Sequence, residues 1–294
     1  MEIKQIVYFL AVVDTGSFSA AAEELYMSQS SLSKQIMALE KELGFSLFDR
    51  SKRKISLTSA AKVFLPHARR IKDEYYSMLA NVAPFKTSPS LSIIAIPVIA
   101  QYGIPSYIAQ FKQAYPTVQL TVEEREASVI LPALSSHQFD LAFVRDNYLD
   151  RSQFDYVVVA RDKLKAILPR QHRLAERKQI SLIELANENF IMFDKGTVVH
   201  ELIMDACRSA GFEPRIFYAS LRVESILGLV ASNSGVALMM EKVVEYHQHP
   251  NIVDVPLAET ISSNLVLAWS KHHQLSEEAK SFIAIIQKDS NRIN

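Results

Sequence analysis

Residues 24–40 read ELYMSQSSLSKQIMALE, a segment that joins a helical apolar stripe to an unusually serine-rich face. Leu32, Ile36 and Leu39 recur at spacings of four and three residues, which predicts one buried face of a helix. Ser28 can cap the start of this helix, and the stripe continues to about Leu43. The opposite face and its N-terminal flank carry Gln29, Ser30, Ser31, Ser33, Lys34 and Met37. The predicted helix therefore presents a slender surface that is rich in hydrogen-bond donors.

Two further helices are predicted before this segment. Apolar residues recur every three or four positions in residues 3–15, and Gly16 is suited to end that helix. The stretch SFSAAAEEL, residues 17–25, has a capping serine and an alanine run that favour a second, short helix. Two short helices joined by a tight turn, the second with a polar outer face, are typical of a helix-turn-helix.

The polar face suggests contact with DNA bases. Glutamine can pair with adenine, lysine can reach guanine, and serine can bond bases or phosphates, while short side chains allow close approach. An ordinary surface helix remains an equally good interpretation of this face by itself. The candidate DNA-binding residues of the helix are Ser28, Gln29, Ser30, Ser31, Ser33 and Lys34.

A basic turn, RSKRK at residues 50–54, follows the helix and lies between two short apolar stretches. This arrangement predicts a β-hairpin wing. Arg53 at its tip could enter a minor groove, while Arg50, Lys52 and Lys54 neutralise phosphates. A solvated turn with no partner is the alternative.

The whole stretch from residue 11 to residue 61 resembles the DNA-binding domain of LysR-type transcriptional regulators. The resemblance rests on GSF before the alanine-rich helix, then on SQSSLSKQI, LEKELGFSLFDR and the LT before the next helix. Ser30 stands where the family usually has proline, and Lys34 where it often has arginine. The resemblance implies a winged helix-turn-helix domain over residues 1–58 that binds double-stranded DNA.

Residues 59–87 predict a long linker helix and a hinge. Apolar residues follow a heptad spacing at Phe64, Ala68, Ile71, Tyr75, Met78 and Val82. Packing against the chain's own domains is an alternative to pairing with another chain, and Pro66 either kinks the helix or is accommodated in it. The resemblance favours a homodimer through this helix and a homotetramer, with RNA polymerase as a further candidate partner.

Residues 88–294 predict a two-lobed α/β domain, because strand-like and helical runs alternate along them, and this alternation predicts parallel sheets covered by helices. Lobe I should comprise about 88–161 and 265–294, and lobe II about 162–264. The phrases YPTVQLTVEE, FDLAFVR, AGFEPRIFY and SGVAL resemble the periplasmic-binding-protein-like effector domain of the same family. The resemblance implies a small-molecule effector in the cleft between the lobes.

The resemblance also indicates which residues would contact that effector. They are the turn Pro97, Val98, Ile99, Ala100 and Gln101, together with Ser128, Arg145, Thr197 and Arg222. Helix N-termini and arginines favour an anion, and the apolar turn favours an apolar body, so we expect an organic acid. Surface or hinge salt bridges are an equally good interpretation of Arg145 and Arg222.

Composition and missing motifs limit the other function classes. The 294 residues have no net charge, but residues 1–87 hold 12 Lys and Arg against 9 Asp and Glu, a net +3. No GxSxG, HExxH, Walker or GxGxxG motif occurs, so we expect no catalytic residues and no cofactor. The paired histidines at 247, 249, 272 and 273 predict a solvated surface rather than a metal site.

Cys207 is the only cysteine, and a buried structural thiol is the better interpretation than a redox sensor. No stretch is apolar and long enough for a membrane span, and the N-terminus fits a signal peptide poorly, so we expect a cytoplasmic protein. A solute-binding protein or a small-molecule enzyme with a two-lobed domain is the alternative to a regulator.

Overall fold

The computed structural model describes residues 1–25, 27–49, 56–82 and 89–293. The chain divides into two compact units, Met1–Ala83 and Pro84–Asn294. In the part of the chain that the structure describes, no helix is long and apolar enough to cross a membrane.

The N-terminal unit is helical with a small hairpin. Its elements are α1 (Ile3–Thr15), α2 (Phe18–Glu24), α3 (Gln29–Leu43), β1 (Phe48–Asp49), β2 (Ser56–Leu57) and α4 (Ser59–Val82). Gly16 and Gly44 end α1 and α3 with φ of 65° and 78°, a left-handed conformation that glycine adopts without steric cost. The three predicted N-terminal helices are confirmed, two from their apolar spacing and α2 from its capping serine and alanine run.

The core of this unit forms where the apolar faces of the helices meet. Leu32, Ile36 and Leu39 of α3 are fully buried, as their spacing predicts. Phe9 of α1 lies between Phe48 and Phe64, with ring centroids 5.6 and 5.3 Å away. These contacts attach α3, the hairpin and the start of α4 to one shared cluster.

The hairpin is present and short. Phe48 pairs with Leu57 and Asp49 with Ser56 in antiparallel register, so the predicted β-hairpin is confirmed at its base. The predicted basic residues of its turn, Arg50, Lys52, Arg53 and Lys54, lie outside the described residues. The same is true of most of the predicted hinge, at residues 83–88.

Helix α4 is one helix from Ser59 to Val82 and runs through Pro66 without interruption. Its apolar seam divides into two parts. Phe64 and Ala68 pack into the core of the N-terminal unit. Ile71, Met78 and Val82 remain 37, 48 and 45% exposed. Packing on the N-terminal unit therefore explains the first part of the heptad pattern, whereas the second part is not buried by the described residues of that unit.

The second unit alternates strands and helices in two lobes, as predicted. Its elements are β3 (Ser90–Ala95), α5 (Ile104–Ala114), β4 (Gln119–Glu124), α6 (Ala127–Ser135), β5 (Leu141–Arg145), β6 (Phe154–Ala160), β7 (Leu164–Pro169), β8 (Asn189–Phe193), α7 (Val198–Ser209), β9 (Arg215–Ser220), α8 (Val223–Ala231), β10 (Ala237–Met240), α9 (Glu241–His247), β11 (Ile252–Pro256), β12 (Leu265–Ser270) and α10 (Glu277–Ile293).

The lobe I sheet has the order β4-β3-β5-β12-β6. The strands β4, β3 and β5 are parallel, whereas β12 runs antiparallel to both of its neighbours. Strand β12 therefore lies within the same sheet as β3, β4 and β5. Strand β6, which the alternation of the sequence did not indicate, completes the edge of the sheet.

Lobe II departs from the parallel sheet that its sequence pattern predicts. Strands β8 and β9 are parallel, but β10 and β11 both run antiparallel to β7. Alternation of strands and helices does not determine strand direction here. Strand β7 follows the crossing segment, and its two partners, β10 and β11, run in the opposite direction to it. Lobe I thus holds one mixed sheet, whereas lobe II holds a parallel pair, β8-β9, and an antiparallel sheet of order β10-β7-β11. Segments near Asp162 and Ser263 join the two lobes.

Candidate functional site

The first candidate surface is the outer face of α3. Gln29, Ser30 and Lys34 are exposed on it, and Ser33 is half-buried. The Ser28 hydroxyl accepts a hydrogen bond of 3.2 Å from the Ser31 backbone N–H, so Ser28 caps the helix. The sequence-based prediction of a capped helix with a polar outer face therefore agrees with the structure.

The N-terminus of α3 is also tied to the helix before it. The Ser19 hydroxyl on α2 donates to the Gln29 side-chain oxygen at 3.0 Å. The Ser28 and Ser30 hydroxyls lie 3.1 Å apart and share a hydrogen bond. These contacts restrict the rotamers of Gln29 and Ser30, two of the residues predicted to contact DNA.

The base of the hairpin is fixed to the same helix. The Glu40 side chain of α3 accepts hydrogen bonds from the backbone N–H groups of Leu47 (2.7 Å) and Phe48 (3.2 Å). The Thr58 hydroxyl donates to the Ser46 carbonyl at 2.7 Å. Helix α3 and the base of the hairpin are consequently held in one arrangement by hydrogen bonds that the sequence did not reveal.

The second candidate site is a cavity between the two lobes of the C-terminal unit, with about 730 Å³ of empty space that is partly open to solvent. Five of the predicted effector residues line it, namely Pro97, Val98, Gln101, Arg145 and Thr197. The predicted residues Ile99, Ala100, Ser128 and Arg222 are not among its lining residues. Ile99 is half-buried and packs on the core, whereas Ala100, Ser128 and Arg222 are exposed.

Eleven further lining residues were not predicted: Ile96, Glu126, Ala127, Phe193, Val198, Val199, Leu221, Val223, Met239, Met240 and Val243. Most of them follow a simple rule of position. Phe193 and Met240 end β8 and β10, and Ala127 and Val223 begin α6 and α8. Ligands of α/β sheets bind at the carboxyl ends of strands, so strand ends in lobe II were the available signal.

Arg145 lines the cavity, and two of its three guanidinium nitrogens are engaged, while the buried Nε has no hydrogen-bond partner among the described residues. Arg145 donates to the Ser263 carbonyl at 2.8 Å and to the Tyr102 hydroxyl at 2.5 Å. The Asp162 carboxylate lies 3.8 Å from the guanidinium and accepts a hydrogen bond from Tyr102. The side chains of Arg145 and Asp162 are 1 and 0% exposed. The interpretation of Arg145 as a hinge salt bridge therefore fits the structure.

This buried network joins the lobes to the segments that cross between them. Asp162 belongs to one crossing segment and Ser263 to the other, while Tyr102 and Arg145 come from lobe I. The Asp162 carboxylate also accepts from the backbone N–H of Lys242 at 3.4 Å, on α9 of lobe II. Burial raises the pKa of Tyr102 above its ordinary value, so its hydroxyl keeps its proton and can donate to Asp162.

Cys207 is fully buried on α7. Burial, with a smaller effect of the negative Glu213, raises its pKa to about 12. The thiol is therefore protonated at neutral pH and inaccessible to oxidants, which agrees with the prediction of a structural cysteine. The described residues contain no group of three or more His, Cys, Asp or Glu that could hold a metal ion.

A helix-turn-helix unit followed by a two-lobed α/β unit with a central cavity defines a ligand-responsive transcriptional regulator. The chain matches the model "Bacterial regulatory helix-turn-helix protein, lysR family" over residues 3–62 and "LysR substrate binding domain" over residues 86–290. It belongs to the LysR family, whose members are DNA-binding transcriptional regulators rather than enzymes. Members of this family bind small-molecule effectors and oligomerise.

Similar proteins cover nearly the whole chain. The transcriptional dual regulator GltC of Bacillus subtilis is 29% identical over 297 residues, with 97% of this chain and 96% of GltC covered. The uncharacterised regulator YnfL of Escherichia coli is 30% identical over 288 residues, with 96% of each chain covered. The crystal structure of HinK, a LysR family regulator from Pseudomonas aeruginosa, has a TM-score of 0.59, 28% identity and 98% coverage of each chain.

Proposed function

We propose that the chain recognises a specific DNA sequence through α3 and the basic turn at residues 50–54, under the control of a small molecule in the interlobe cavity. The observation that supports this proposal best is the division of α3 into two faces. Leu32, Ile36 and Leu39 are buried, whereas Gln29, Ser30 and Lys34 are exposed. Among the described residues, Lys34 has no ion-pair partner. A helix whose apolar face packs on the core of its domain can place its polar face in a major groove.

The α3 residues divide by role. Gln29 and Lys34 carry the long donor-bearing side chains suited to base edges, and Ser30, Ser31 and Ser33 suit close contact with bases or phosphates. Ser28 acts chiefly by capping the helix. Arg53 enters the minor groove, and Arg50, Lys52 and Lys54 contact phosphates.

We further propose that α4 pairs with α4 of a second copy. The support is the half of its apolar seam that the single chain leaves exposed, at Ile71, Met78 and Val82. Two paired DNA-binding domains would then read two half-sites related by a two-fold axis. Two such dimers form the homotetramer. Within each chain, the DNA-binding domain ends near residue 58, the linker runs to about residue 87, and the effector domain follows.

Effector control follows from the position of the cavity. A ligand that contacts both lobes stabilises one lobe arrangement over others by its difference in affinity for them. The crossing segments with Asp162 and Ser263 are the part of the unit that such a rearrangement would bend. The regulator acts in the cytoplasm, and RNA polymerase is the partner through which it would change transcription.

Footprinting of the full-length protein on the DNA upstream of its own gene tests the proposal. We expect protection of two regions about one helical turn, or a multiple of it, apart, because a dimer reads two half-sites. Val82→Asp and Met78→Asp should reduce protection by weakening the dimer, whereas Glu74→Asp, on the same helix, should not. Protection that spreads evenly over the fragment would contradict the proposal.

A further inference from the structure

We propose that the effector of the interlobe cavity is a predominantly apolar molecule without an acid group. This inference rests on the proposed function, since it specifies the ligand of the same site. It replaces the organic acid that the sequence alone predicts. Three features of the cavity carry it: a neutralised cation, acidic residues at the helix N-termini, and an apolar lining.

The first feature is the charge of Arg145. Among the residues that line the cavity, Arg145 has the one basic side chain, and it would be the natural partner of a carboxylate. Its two terminal nitrogens already bond Ser263 and Tyr102, and Asp162 balances its charge in a buried pair. An anionic ligand would have to compete with the Asp162 carboxylate, which lies 3.8 Å from the guanidinium and accepts hydrogen bonds from the backbone N–H groups of Lys163 and Lys242. Arg145 therefore offers an anion little net attraction.

Helix N-termini are the second group that would attract an anion, and α6, α7 and α8 each begin at the cavity. Each of these N-termini carries its own carboxylate. Glu126 is the N-cap residue of α6, and Glu201 and Glu224 lie in the first turns of α7 and α8. These carboxylates offset the positive ends of the helix dipoles and repel a second negative charge.

Glu126 matters most because it lines the cavity itself. Its side chain makes no hydrogen bond to the backbone of α6, and in the described part of the chain it has no ion partner. With Arg145 balanced by Asp162, the uncompensated charge on the cavity lining is negative. A neutral or cationic ligand avoids the repulsion that a carboxylate would meet there.

The remaining lining supports an apolar ligand. Phe193, Leu221, Met239 and Met240 contribute large apolar side chains, and methionine adapts its shape to varied ligands. The polar Thr197 is already used, since its hydroxyl donates to the Asp194 carbonyl and accepts from the His200 N–H. Concave sites with a mainly apolar lining hold a ligand largely by apolar contact and orient it with few polar contacts.

A series of probes that differ only in charge tests the inference. We would titrate full-length protein calorimetrically with naphthalene-2-carboxylate, 2-naphthamide and 2-naphthamidine, which are negative, neutral and positive at pH 7. The expected result is binding of the amide and the amidinium, with the carboxylate weaker by about tenfold or more. A carboxylate that binds as tightly as the amide overturns the inference, and so does a series in which no probe binds.

Two matched variants place the effect at the cavity. Glu126→Gln should strengthen carboxylate binding several-fold relative to the amide, whereas Glu176→Gln, at an exposed position outside the cavity lining, should leave the ratio unchanged. Ala127→Trp, which fills the cavity, should abolish binding of the amide. Equal ratios in Glu126→Gln and Glu176→Gln, or undiminished amide binding in Ala127→Trp, would count against the inference.

A parallel gel shift with the same protein separates this inference from the proposed function. A preference for the carboxylate together with sequence-specific DNA binding would overturn the charge of the effector and leave the regulator intact. Loss of sequence-specific DNA binding would overturn the proposed function itself.

Discussion

The buried pair of Arg145 and Asp162 predicts strong energetic coupling in the effector unit. Replacing one member leaves a buried charge without its partner, which typically costs about 3–5 kcal/mol of folding free energy. The Arg145→Met variant keeps most of the side-chain volume but leaves Asp162 and the Tyr102 hydroxyl without their cation. We therefore expect Arg145→Met to lose about 3–5 kcal/mol, a large part of the roughly 5–15 kcal/mol that stabilises a domain.

The double variant isolates the interaction. Asp162→Asn removes the negative charge while keeping an oxygen that can accept from the Lys163 N–H. In the Arg145→Met background, Asp162→Asn no longer leaves a buried cation without its partner. It should therefore lower the free energy of unfolding by less than it does in the wild type. For two groups 3.8 Å apart we expect the double variant to be less destabilised than the sum of the singles by about 1–3 kcal/mol.

Trp269 provides the assay. It is the single tryptophan and lies in β12, the strand that follows the crossing segment, so its fluorescence during urea unfolding reports the effector unit. Arg208→Met, at an exposed arginine paired with Glu213, is the control and should change stability little. Costs for Arg145→Met and Asp162→Asn that simply add, within about 0.5 kcal/mol, would refute the coupling that the geometry indicates.

Three further predictions concern other parts of the chain. Gln29→Ala should change which bases are preferred, while Arg53→Ala should weaken binding to all sequences; binding measured on a panel of single-base operator variants separates the two, and equal losses in both variants would contradict this division. Cys207 should resist alkylation in the native protein and react only on unfolding, because its raised pKa and burial keep it a neutral thiol; peroxide should leave DNA binding unchanged, and fast labelling in native buffer would disprove this. Burial and the neighbouring His273 lower the pKa of His137, so the unfolded chain takes up a proton first and the effector unit should lose stability as pH falls below about 6.5. His137→Asn, which tolerates the left-handed φ of 58°, should flatten that dependence in Tm measurements between pH 5 and 8; an unchanged slope would exclude His137 as its source.

The sequence predicted local structure well wherever spacing or capping decided it. The buried face of α3 followed from the positions of Leu32, Ile36 and Leu39, and its start from the capping serine. The apolar heptad seam of α4 was predicted correctly. Its division into a buried first half and an exposed second half could not be predicted from the sequence. Phe64 and Ala68 are covered by α1 and the hairpin, which are brought there by the tertiary fold.

The cavity was predicted less completely for the same reason. Pro97 and Thr197 were predicted from the family resemblance, and both line the cavity, just after strand β3 and just before helix α7. Met239 was missed because its strand, β10, pairs antiparallel with β7, a direction that alternation does not specify. Val243 was missed with it, since it lies on α9, the helix that directly follows β10. The role of Arg145 depends on Asp162 and Tyr102, and nothing in the spacing of these residues shows that they meet.

The central claim, sequence-specific DNA binding through the exposed face of α3, is tested most directly by one competition measurement. Fluorescence anisotropy with labelled DNA from upstream of the chain's own gene compares displacement by the same sequence and by a shuffled one. The account predicts that the native sequence competes at least about a thousandfold better, and that affinity falls steeply with added salt. The ratio should collapse in the Gln29→Ala, Lys34→Ala double variant. Equal competition by the native and shuffled sequences would contradict the account.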